Sequence, residues 1–223
     1  MLINIKYIFF VFTFLGLTSF VNFKIEQNKS WELKKNSDGI SIYTRNSEGS
    51  DFKELKSVMQ LKTSLSSIVA LLNDWENYPK WVYKCEKSIT LKKISDTEVI
   101  HYQTVIAPWP ADNRDFIVDV KISQNPLSNV VIQKAICLSN YIPQIKEYVR
   151  ITEFKASWIL TPIKNGMVNI EYHLLVNPGG SLPAWIVNLA MIDGPFETNL
   201  HLKEWVKKEK YQKQKISFIK EME

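Results

Sequence analysis

Residues 107–116, APWPADNRDF, place a stiff aromatic loop directly before a charged pair. Two prolines flank Trp109, a polar turn follows, and Arg114 and Asp115 stand at the start of an alternating segment. Proline restricts φ in the unfolded chain as well as in the folded one, so such a loop is ordered at a small entropic cost. The stretch therefore predicts a rigid loop at a strand entrance, and its role depends on the elements around it.

The segment that follows the loop alternates apolar and polar side chains, as a half-buried strand does. Its apolar positions are Phe116, Val118, Val120 and Ile122, and its polar positions include Asp115, Asp119 and Lys121. The same period of two recurs over residues 150–162 and 167–177, and Asn165-Gly166 is a hairpin turn between them. The pattern predicts an antiparallel sheet with one apolar and one hydrated face.

The other predicted elements are strands earlier in the chain and two helices. Further strands are predicted at residues 31–35, 40–45, 52–62, 86–94, 97–106, 115–124 and 129–138. A first helix begins after Ser64, where apolar residues recur at i, i+3, i+4 and i+7. A C-terminal helix begins at Ser181 with Pro183 in its first turn, is interrupted at residues 193–195 (DGP), and ends in a Lys-rich tail that we expect to be hydrated.

Composition describes an ordinary folded domain. The 223 residues are 45% hydrophobic and 23% charged, which suits one domain. Lys and Arg number 28 against 23 Asp and Glu, a net charge of +5 that serves general solubility or a weak preference for membrane surfaces. No basic cluster lies on a nucleic-acid-binding motif, so we expect no nucleic-acid partner. No sequence feature bears on oligomeric state, and we expect a monomer.

The first 23 residues are expected to stand apart from the fold. Residues 7–17 (YIFFVFTFLGL) form an unbroken apolar run behind a single Lys, as in a secretory signal peptide. The run extends to residue 23 if it is an uncleaved membrane anchor, and a buried helix is the third alternative. Either of the first two places residues 24–223 outside the cytoplasm, in the periplasm or the medium.

Motifs for catalysis and metal binding are scarce. The chain has no GxSxG, HExxH, P-loop or GxGxxG sequence, and His101, His173 and His201 lack metal-ligand spacing. We therefore expect no cofactor and no metal. Cys85 and Cys137 fall in strands that are not expected to be neighbours, so two buried thiols are favoured over a disulfide.

Three segments carry a resemblance to a known family. They are DWENYPKW at residues 74–81, PWPADNRDF at residues 108–116, and GGSLPAW at residues 179–185 with Gly194-Pro195-Phe196. In this order they resemble the START domain, the steroidogenic-acute-regulatory-related lipid-transfer family, over residues 30–208.

The resemblance implies an α+β helix-grip fold, in which a curved antiparallel β-sheet wraps a long C-terminal α-helix and encloses an apolar cavity for one lipid. It also implies that the 107–113 loop and the C-terminal helix gate this cavity, that no covalent chemistry is needed, and that contact with membranes is transient. The domain would cover residues 24–210, followed by a charged tail at 211–223.

The expected ligand-binding residues follow from the resemblance and from the alternation. The apolar wall is Phe116, Val118, Trp158, Leu160, Tyr172 and Leu174 from the sheet, with Trp185, Ile186, Leu189 and Phe196 from the helix. A plain core would use the same residues. Tyr102 and Gln103 are candidates for the head group, and the period of two places only one of them inside.

Arg114 and Trp109 are the two sharper candidates. A guanidinium at the edge of an apolar chamber binds phosphate or carboxylate, although Arg114 would also suit a structural ion pair with Asp112 or Asp115. Trp109 either meets the membrane interface or packs down as a plug. Some sterol-binding relatives have a further basic residue six positions after the arginine; here that position is Val120, which weakens the case for a sterol.

Two other functions remain open at this stage. Related helix-grip proteins include cyclases and aromatases, and His101 with a nearby carboxylate would be the candidate acid/base pair. A secreted interaction module with a vestigial chamber is the other alternative.

Overall fold

One ten-stranded sheet dominates the computed structural model, which describes residues 30–48, 52–180, 182 and 184–222. The predicted leader (residues 1–23), Ser181 and Pro183 lie outside the described residues. The strands are β1 Glu32–Ser37, β2 Ile40–Asn46, β3 Lys53–Lys62, β4 Cys85–Ser95, β5 Glu98–Val105, β6 Arg114–Gln124, β7 Val131–Cys137, β8 Val149–Arg150, β9 Glu153–Ile163 and β10 Met167–Asn177. The order is β1-β2-β3-β10-β9-β7-β6-β5-β4, antiparallel throughout, and the short unpredicted β8 adds in parallel to the start of β6.

Four helices are described: α1 Leu65–Leu72, α2 Tyr78–Trp81, α3 Ala184–Trp205 and α4 Glu209–Gln212, with a 3-10 turn at Trp75–Asn77. Ser64 caps α1 as predicted, because its hydroxyl accepts a hydrogen bond from Ser67 N at 3.0 Å. The hairpin turn at Asn165-Gly166 is also confirmed, with φ of 63° and 68° that asparagine and glycine tolerate.

The main core lies between the sheet and the helices. Ile40, Ile42, Leu55 and Met59 of β2 and β3 are buried against apolar side chains of α1 and α3, and α3 packs on β2, β3 and α2. This arrangement confirms the predicted helix-grip architecture. Within the described residues, no helix combines the length and the apolar composition needed to cross a membrane.

The predicted break in the C-terminal helix is wrong: α3 runs from Ala184 to Trp205 with Pro195 inside it. Tertiary packing offsets the backbone hydrogen bond that proline cannot donate. One turn after the proline, the buried Asn199 amide donates to Pro195 O at 2.7 Å and to Ser57 Oγ of β3 at 2.9 Å, which ties the helix to the sheet.

The lysines of the tail are exposed, as expected for a hydrated segment, but other residues attach the tail to the domain. Tyr211 is buried, and its hydroxyl donates to the Asp74 carboxylate at 2.8 Å. Farther on, the Gln124 amide donates to the backbone oxygen of Lys220 and accepts from its backbone N–H, both at 2.7 Å. Residues 211–222 therefore pack on the domain, because apolar and hydrogen-bonding side chains are interspersed among the lysines.

The face of β5 and β6 that points away from the main core is covered rather than hydrated. Residues 138–148, called the outer segment below, cross this face and bury Ile100, Tyr102 and Ile117. Asp115, predicted to face water, is fully buried and paired with Arg150. Alternation along one strand reports two faces but does not identify what covers the second one.

The two cysteines are free thiols. Cys85 begins β4 and Cys137 ends β7, and β5 and β6 lie between these strands in the sheet. Cys85 is buried as expected, whereas Cys137 is only partly buried. Burial raises the pKa of Cys85 to about 12, so this thiol stays protonated at neutral pH.

Candidate ligand-binding cavity

A central cavity of about 410 Å³ lies between the sheet and α2 and α3. This volume is within the range of small-molecule sites. Its sheet wall comprises His101, Gln103, Val105, Phe116, Val118, Val120, Gln133, Ala135, Phe154, Ala156, Trp158, Tyr172, Leu174 and Val176. The helical side comprises Trp75, Tyr78, Trp81, Gly194, Pro195 and Thr198, and one end is bordered by Tyr83, Lys84, Ile106, Ala107, Pro108, Arg114, Pro178 and Leu182. We call that end the mouth.

Aromatic pairs shape the apolar wall. Phe116 and Phe154 stack with ring centroids 4.8 Å apart, and Trp158 and Tyr172 lie at 4.4 Å. Trp158 and Tyr172 pair across the neighbouring strands β9 and β10, whereas β7 lies between β6 and β9 in the sheet order, and all four side chains line the cavity. Burial raises the pKa of Tyr172, which remains a neutral phenol. The result is a wide apolar surface that suits a hydrocarbon chain.

Arg114 places its guanidinium at the mouth. Nε donates to Pro178 O and Nη2 to Gly179 O, both at 3.3 Å, and Nη1 donates to Asp112 O. Gly179 and Gly180 both have a φ of 65°, and this left-handed backbone carries the segment across the arginine. Partial burial lowers the pKa of Arg114, yet a guanidinium stays charged at neutral pH. The charge of nearby Asp112 acts to raise the pKa of Arg114, but no ion pair joins the two side chains among the described contacts. The guanidinium is held by neutral carbonyls, so it can still meet an anion.

The predicted alternative of an ion pair between Arg114 and Asp115 is wrong. The two side chains leave β6 on opposite faces, Arg114 toward the cavity and Asp115 toward Arg150. Consecutive residues of a strand cannot share one face.

His101 of β5 lies in the cavity wall and contacts Ser88 of the neighbouring strand β4. Ser88 Oγ donates to Trp75 O at 2.6 Å and lies 3.1 Å from His101 Nε2. A hydroxyl has one hydrogen, so Ser88 accepts from His101 Nε2–H and the imidazole is the Nε2–H tautomer. The His101 ring also packs against Trp75, with centroids 4.4 Å apart. Burial lowers the pKa of His101 to about 4, so the wall bears no imidazolium at neutral pH.

A hydrogen bond between two side-chain amides lies at the far end of the cavity. Gln133 of β7 donates from its amide to Asn73 Oδ1 at 2.8 Å. Together with Trp75 and Val120, Gln133 also borders a second, solvent-facing pocket of about 260 Å³ near the β4–β5 turn. The cavity thus extends from Arg114 at one end of β6 toward the opposite end of the sheet.

The loop of residues 107–113, called the mouth loop below, presents Trp109 to solvent. The Trp109 residue is 88% exposed, so the predicted plug is excluded in this conformation. Asn113 Oδ1 accepts a hydrogen bond from Ala107 N at 3.1 Å, which joins the two ends of the loop. Pro108 lines the mouth, while the indole lies outside it.

The structure brings half of the predicted ligand-binding residues to the cavity. These are Gln103, Arg114, Phe116, Val118, Trp158, Tyr172 and Leu174. Their contact with a ligand stays a prediction. The side chains of Trp185, Ile186 and Leu189 lie outside the described residues.

Four other predicted residues are not in the cavity wall. Tyr102 points to the opposite face of β5, where Asp115 and the outer segment surround it. Leu160 and Phe196 are buried in the main core and do not line the cavity. Trp109 faces solvent. The correct periodicity for Leu160 therefore identified its face of the sheet but not its position relative to the empty volume.

Several wall residues were not assigned to the site from the sequence. Phe154 and Ala156 share the alternation of Trp158, so extending that pattern would have included them. Trp75, Tyr78 and Trp81 stand out only as an aromatic cluster after α1. No local pattern indicates that a 3-10 turn and a one-turn helix face a cavity.

Comparisons with known proteins agree on one family. The family model for the START domain matches residues 20–215. A STAR-related lipid transfer protein fragment from Xanthomonas axonopodis superimposes with a TM-score of 0.73 and 31% identity, covering 80% of this chain and 99% of the other. Among curated sequences, an uncharacterized protein of Pseudomonas aeruginosa is 29% identical over 76% of this chain and 83% of its own.

A eukaryotic relative is more distant. The phosphatidylcholine transfer protein of Rattus norvegicus is 25% identical over 74% of this chain and 78% of its own. The family match, the fold and the apolar cavity lead to the same conclusion: the chain belongs to the START domain family.

Proposed function

We propose that this protein binds a single acidic lipid in the central cavity and moves it between membranes without covalent chemistry. The observation that carries the proposal is a cavity lined by aromatic and aliphatic side chains, with the Arg114 guanidinium at its mouth. Relatives named as lipid transfer proteins support lipid binding as the general activity.

The polarity of the cavity supports a defined orientation of the ligand. Among the described wall residues, the side chains charged at neutral pH are Lys84 and Arg114, both at the mouth, and none is acidic. An anionic head at the mouth would meet the two cations, and the hydrocarbon chain would follow β5 and β6 inward. From Arg114 to Val120 on β6 the wall spans six residues, or about 20 Å at roughly 3.4 Å per residue. That length suits one long acyl chain.

The contacts of His101 support a non-catalytic role. Its Nε2–H is donated to Ser88, whose own hydrogen goes to a backbone carbonyl, so the hydroxyl is not activated as a nucleophile. No carboxylate among the described residues hydrogen-bonds to this imidazole, so the His101–carboxylate pair named for a cyclase-like function has no hydrogen bond in support of it.

The exposed mouth loop supports the proposal of transient membrane contact. Trp109 and Ile106 are exposed next to the opening, and an indole favours the boundary between water and acyl chains. We further propose that the protein acts outside the cytoplasm, since the apolar run at residues 7–17 has the composition of a signal peptide. We also propose that it acts as a monomer.

Binding is tested with residues 24–223 purified without detergent, examined by native mass spectrometry, extracted with organic solvent, and titrated with octadecanoic acid. We expect a co-purifying lipid or saturable uptake of one molecule. Arg114→Met should weaken binding of the acid by about ten-fold or more, as expected for the loss of a charged hydrogen bond.

Arg45→Met is the matched control, because Arg45 pairs with Glu54 on β2 and β3 and does not line the cavity. Its affinity should equal that of the unmodified protein. A protein that carries no lipid and takes up no acid would contradict the proposed function. If Arg114→Met binds the acid as tightly as the unmodified protein, only the proposed role of the Arg114 cation is contradicted, and lipid binding stands.

A further inference from the structure

Among the described residues of the cavity wall, Gln103 is the one amide without a hydrogen-bond partner. It is only 7% exposed, and it borders the central cavity. Within the described residues, no hydrogen bond joins its side chain to another group. Its amide atoms nevertheless remain accessible to a small molecule such as water. An amide can donate two hydrogen bonds and accept two. Gln103 therefore holds its full side-chain hydrogen-bonding capacity toward the cavity.

The other amide in the wall shows the contrast. Gln133 is equally buried, but its amide is bonded to Asn73. A buried polar group without a partner is destabilising, and native structures contain few of them. Any water that serves the Gln103 amide must leave when a hydrocarbon chain fills the cavity, and methylene groups cannot replace its hydrogen bonds. A purely apolar chain is therefore a poor match for this position.

The position of Gln103 defines where the matching group would be. Across the β5–β6 ladder, Val105 pairs with Arg114 and Gln103 pairs with Phe116. Gln103 thus lies one inward-facing position deeper than Arg114, about 7 Å along the strand at roughly 3.4 Å per residue. The Arg114 guanidinium reaches outward to the carbonyls of Pro178 and Gly179, which lengthens the separation. A ligand group that meets Gln103 would lie part-way along the chain.

The surroundings of Gln103 favour a neutral partner. The next inward residue on the same face is His101, which is uncharged at neutral pH and engaged with Ser88. No acidic side chain lines the described wall, and the two cations are at the mouth. An amide flanked by neutral groups recognises a hydroxyl well, since a hydroxyl both donates and accepts.

We propose that the Gln103 amide recognises a hydroxyl carried part-way along the chain of an acidic lipid whose anionic end lies at Arg114. This inference rests on the proposed function and specifies the class of lipid: a hydroxylated acyl chain in preference to a plain one.

The test compares three probes by isothermal titration: octadecanoic acid, 2-hydroxyoctadecanoic acid and 10-hydroxyoctadecanoic acid. We expect the 10-hydroxy acid to bind the unmodified protein about five-fold more tightly than the plain acid, the effect of one net hydrogen bond. The 2-hydroxy acid should match the plain acid, because its hydroxyl adjoins the carboxylate and cannot reach Gln103.

Gln103→Met removes the amide at similar volume. This variant should bind the plain acid at least as well as the unmodified protein and should lose the preference for the 10-hydroxy acid. Gln60→Met is the matched control: this glutamine is exposed on β3 and does not line the cavity, so the preference should persist. Thermal melts establish that each variant is folded, and the comparison of the three acids on the unmodified protein stands even if a variant does not fold.

The outcomes separate the two proposals. If the acids bind without discrimination, or if Gln103→Met keeps the preference, the role of Gln103 is wrong and the lipid-binding function stands. If none of the three acids binds, the acidic lipid is wrong, and with it this inference.

Discussion

Arg150 and Asp115 form a buried two-point ion pair, with Nε 2.8 Å from Oδ1 and Nη2 2.9 Å from Oδ2. The remaining guanidinium hydrogens bind the carbonyls of Ser139, Ile142 and Pro143 in the outer segment. Hydrogen bonding to Asp115 raises the pKa of Arg150. The pair thus fixes the outer segment over β6, directly behind the strand that carries Arg114.

Arg150→Met is expected to lower the free energy of unfolding by about 3–5 kcal/mol, because it leaves the Asp115 carboxylate buried without a partner. Urea denaturation at neutral pH measures the change. Lys93→Met, which breaks the exposed pair with Asp96, is the control and should leave stability within error. Combining Arg150→Met with Asp115→Leu should recover much of the loss. An Arg150→Met protein as stable as the control would contradict a structural role for the pair.

His101 predicts a specific pH dependence of stability. Burial lowers its pKa from 6.5 to about 4, so between these values the unfolded chain binds a proton that the folded protein does not. Stability is therefore complete above pH 6.5 and falls as the pH drops toward about 4, by about 3 kcal/mol in total at 1.36 kcal/mol per pH unit.

Urea unfolding of His101→Gln should show a smaller loss over the same interval, since glutamine does not titrate. His173→Gln, at a partly exposed position, serves as the control and should keep most of the original slope. Identical slopes in the unmodified protein and in His101→Gln would show that imidazole burial does not govern this interval.

The C-terminal tail is expected to contribute to stability through Glu221. Its carboxylate accepts hydrogen bonds from Leu65 N at 2.9 Å and Ser66 N at 2.8 Å, at the N-terminus of α1, where the helix dipole favours negative charge. Glu221→Ala should cost about 1 kcal/mol, as the loss of a helix cap does. Differential scanning calorimetry detects this as a lower melting temperature.

The control for the tail is Glu204→Ala, which removes an exposed ion pair with Lys207 near the end of α3. It should leave the melting temperature unchanged. If the two variants melt together, Glu221 does not act as a cap in solution.

Trp109 is expected to mediate contact with membranes. Trp109→Ala should reduce binding to vesicles of phosphatidylcholine and phosphatidylglycerol several-fold, because the exposed indole is lost from the mouth loop. Stability should not change, since the side chain packs on little of the protein. Co-sedimentation with vesicles measures the effect.

Leu127→Ala is the matched control for Trp109. Leu127 is 94% exposed, but it lies in the β6–β7 turn, at the opposite end of β6 from the mouth loop. Its removal should not change vesicle binding. Equal losses in the two variants would indicate nonspecific adsorption through exposed apolar side chains.

Local patterns predicted the elements of this fold well. Period-two alternation identified β6, β9 and β10, the Asn165-Gly166 turn joined the last two, and Ser64 marked the start of α1. Each of these depends on neighbouring residues in the chain, through side-chain alternation, left-handed φ or a helix cap. The same periodicity assigned Phe116, Trp158 and Tyr172 to the face that borders the cavity.

The site itself was only half predictable. Alternation could not choose between Tyr102 and Gln103, and it could not separate Trp158, which meets the empty volume, from Leu160, which is packed in the core two residues later. Both distinctions depend on what lies opposite the strand, and that is contributed by segments distant in sequence.

By itself, the sequence determined the strands, the hairpins, the family resemblance and the rigid loop before Arg114 and Asp115. Tertiary structure decided what that charged pair does: Arg114 is held by the carbonyls of residues 178 and 179 at the mouth, while Asp115 is neutralised by Arg150 on the other face. It also left Gln103, in the cavity wall, without a hydrogen-bond partner among the described residues. The physical reason is that hydrogen-bond partners and desolvation are properties of three-dimensional neighbours, whereas alternation and turn geometry are properties of the chain.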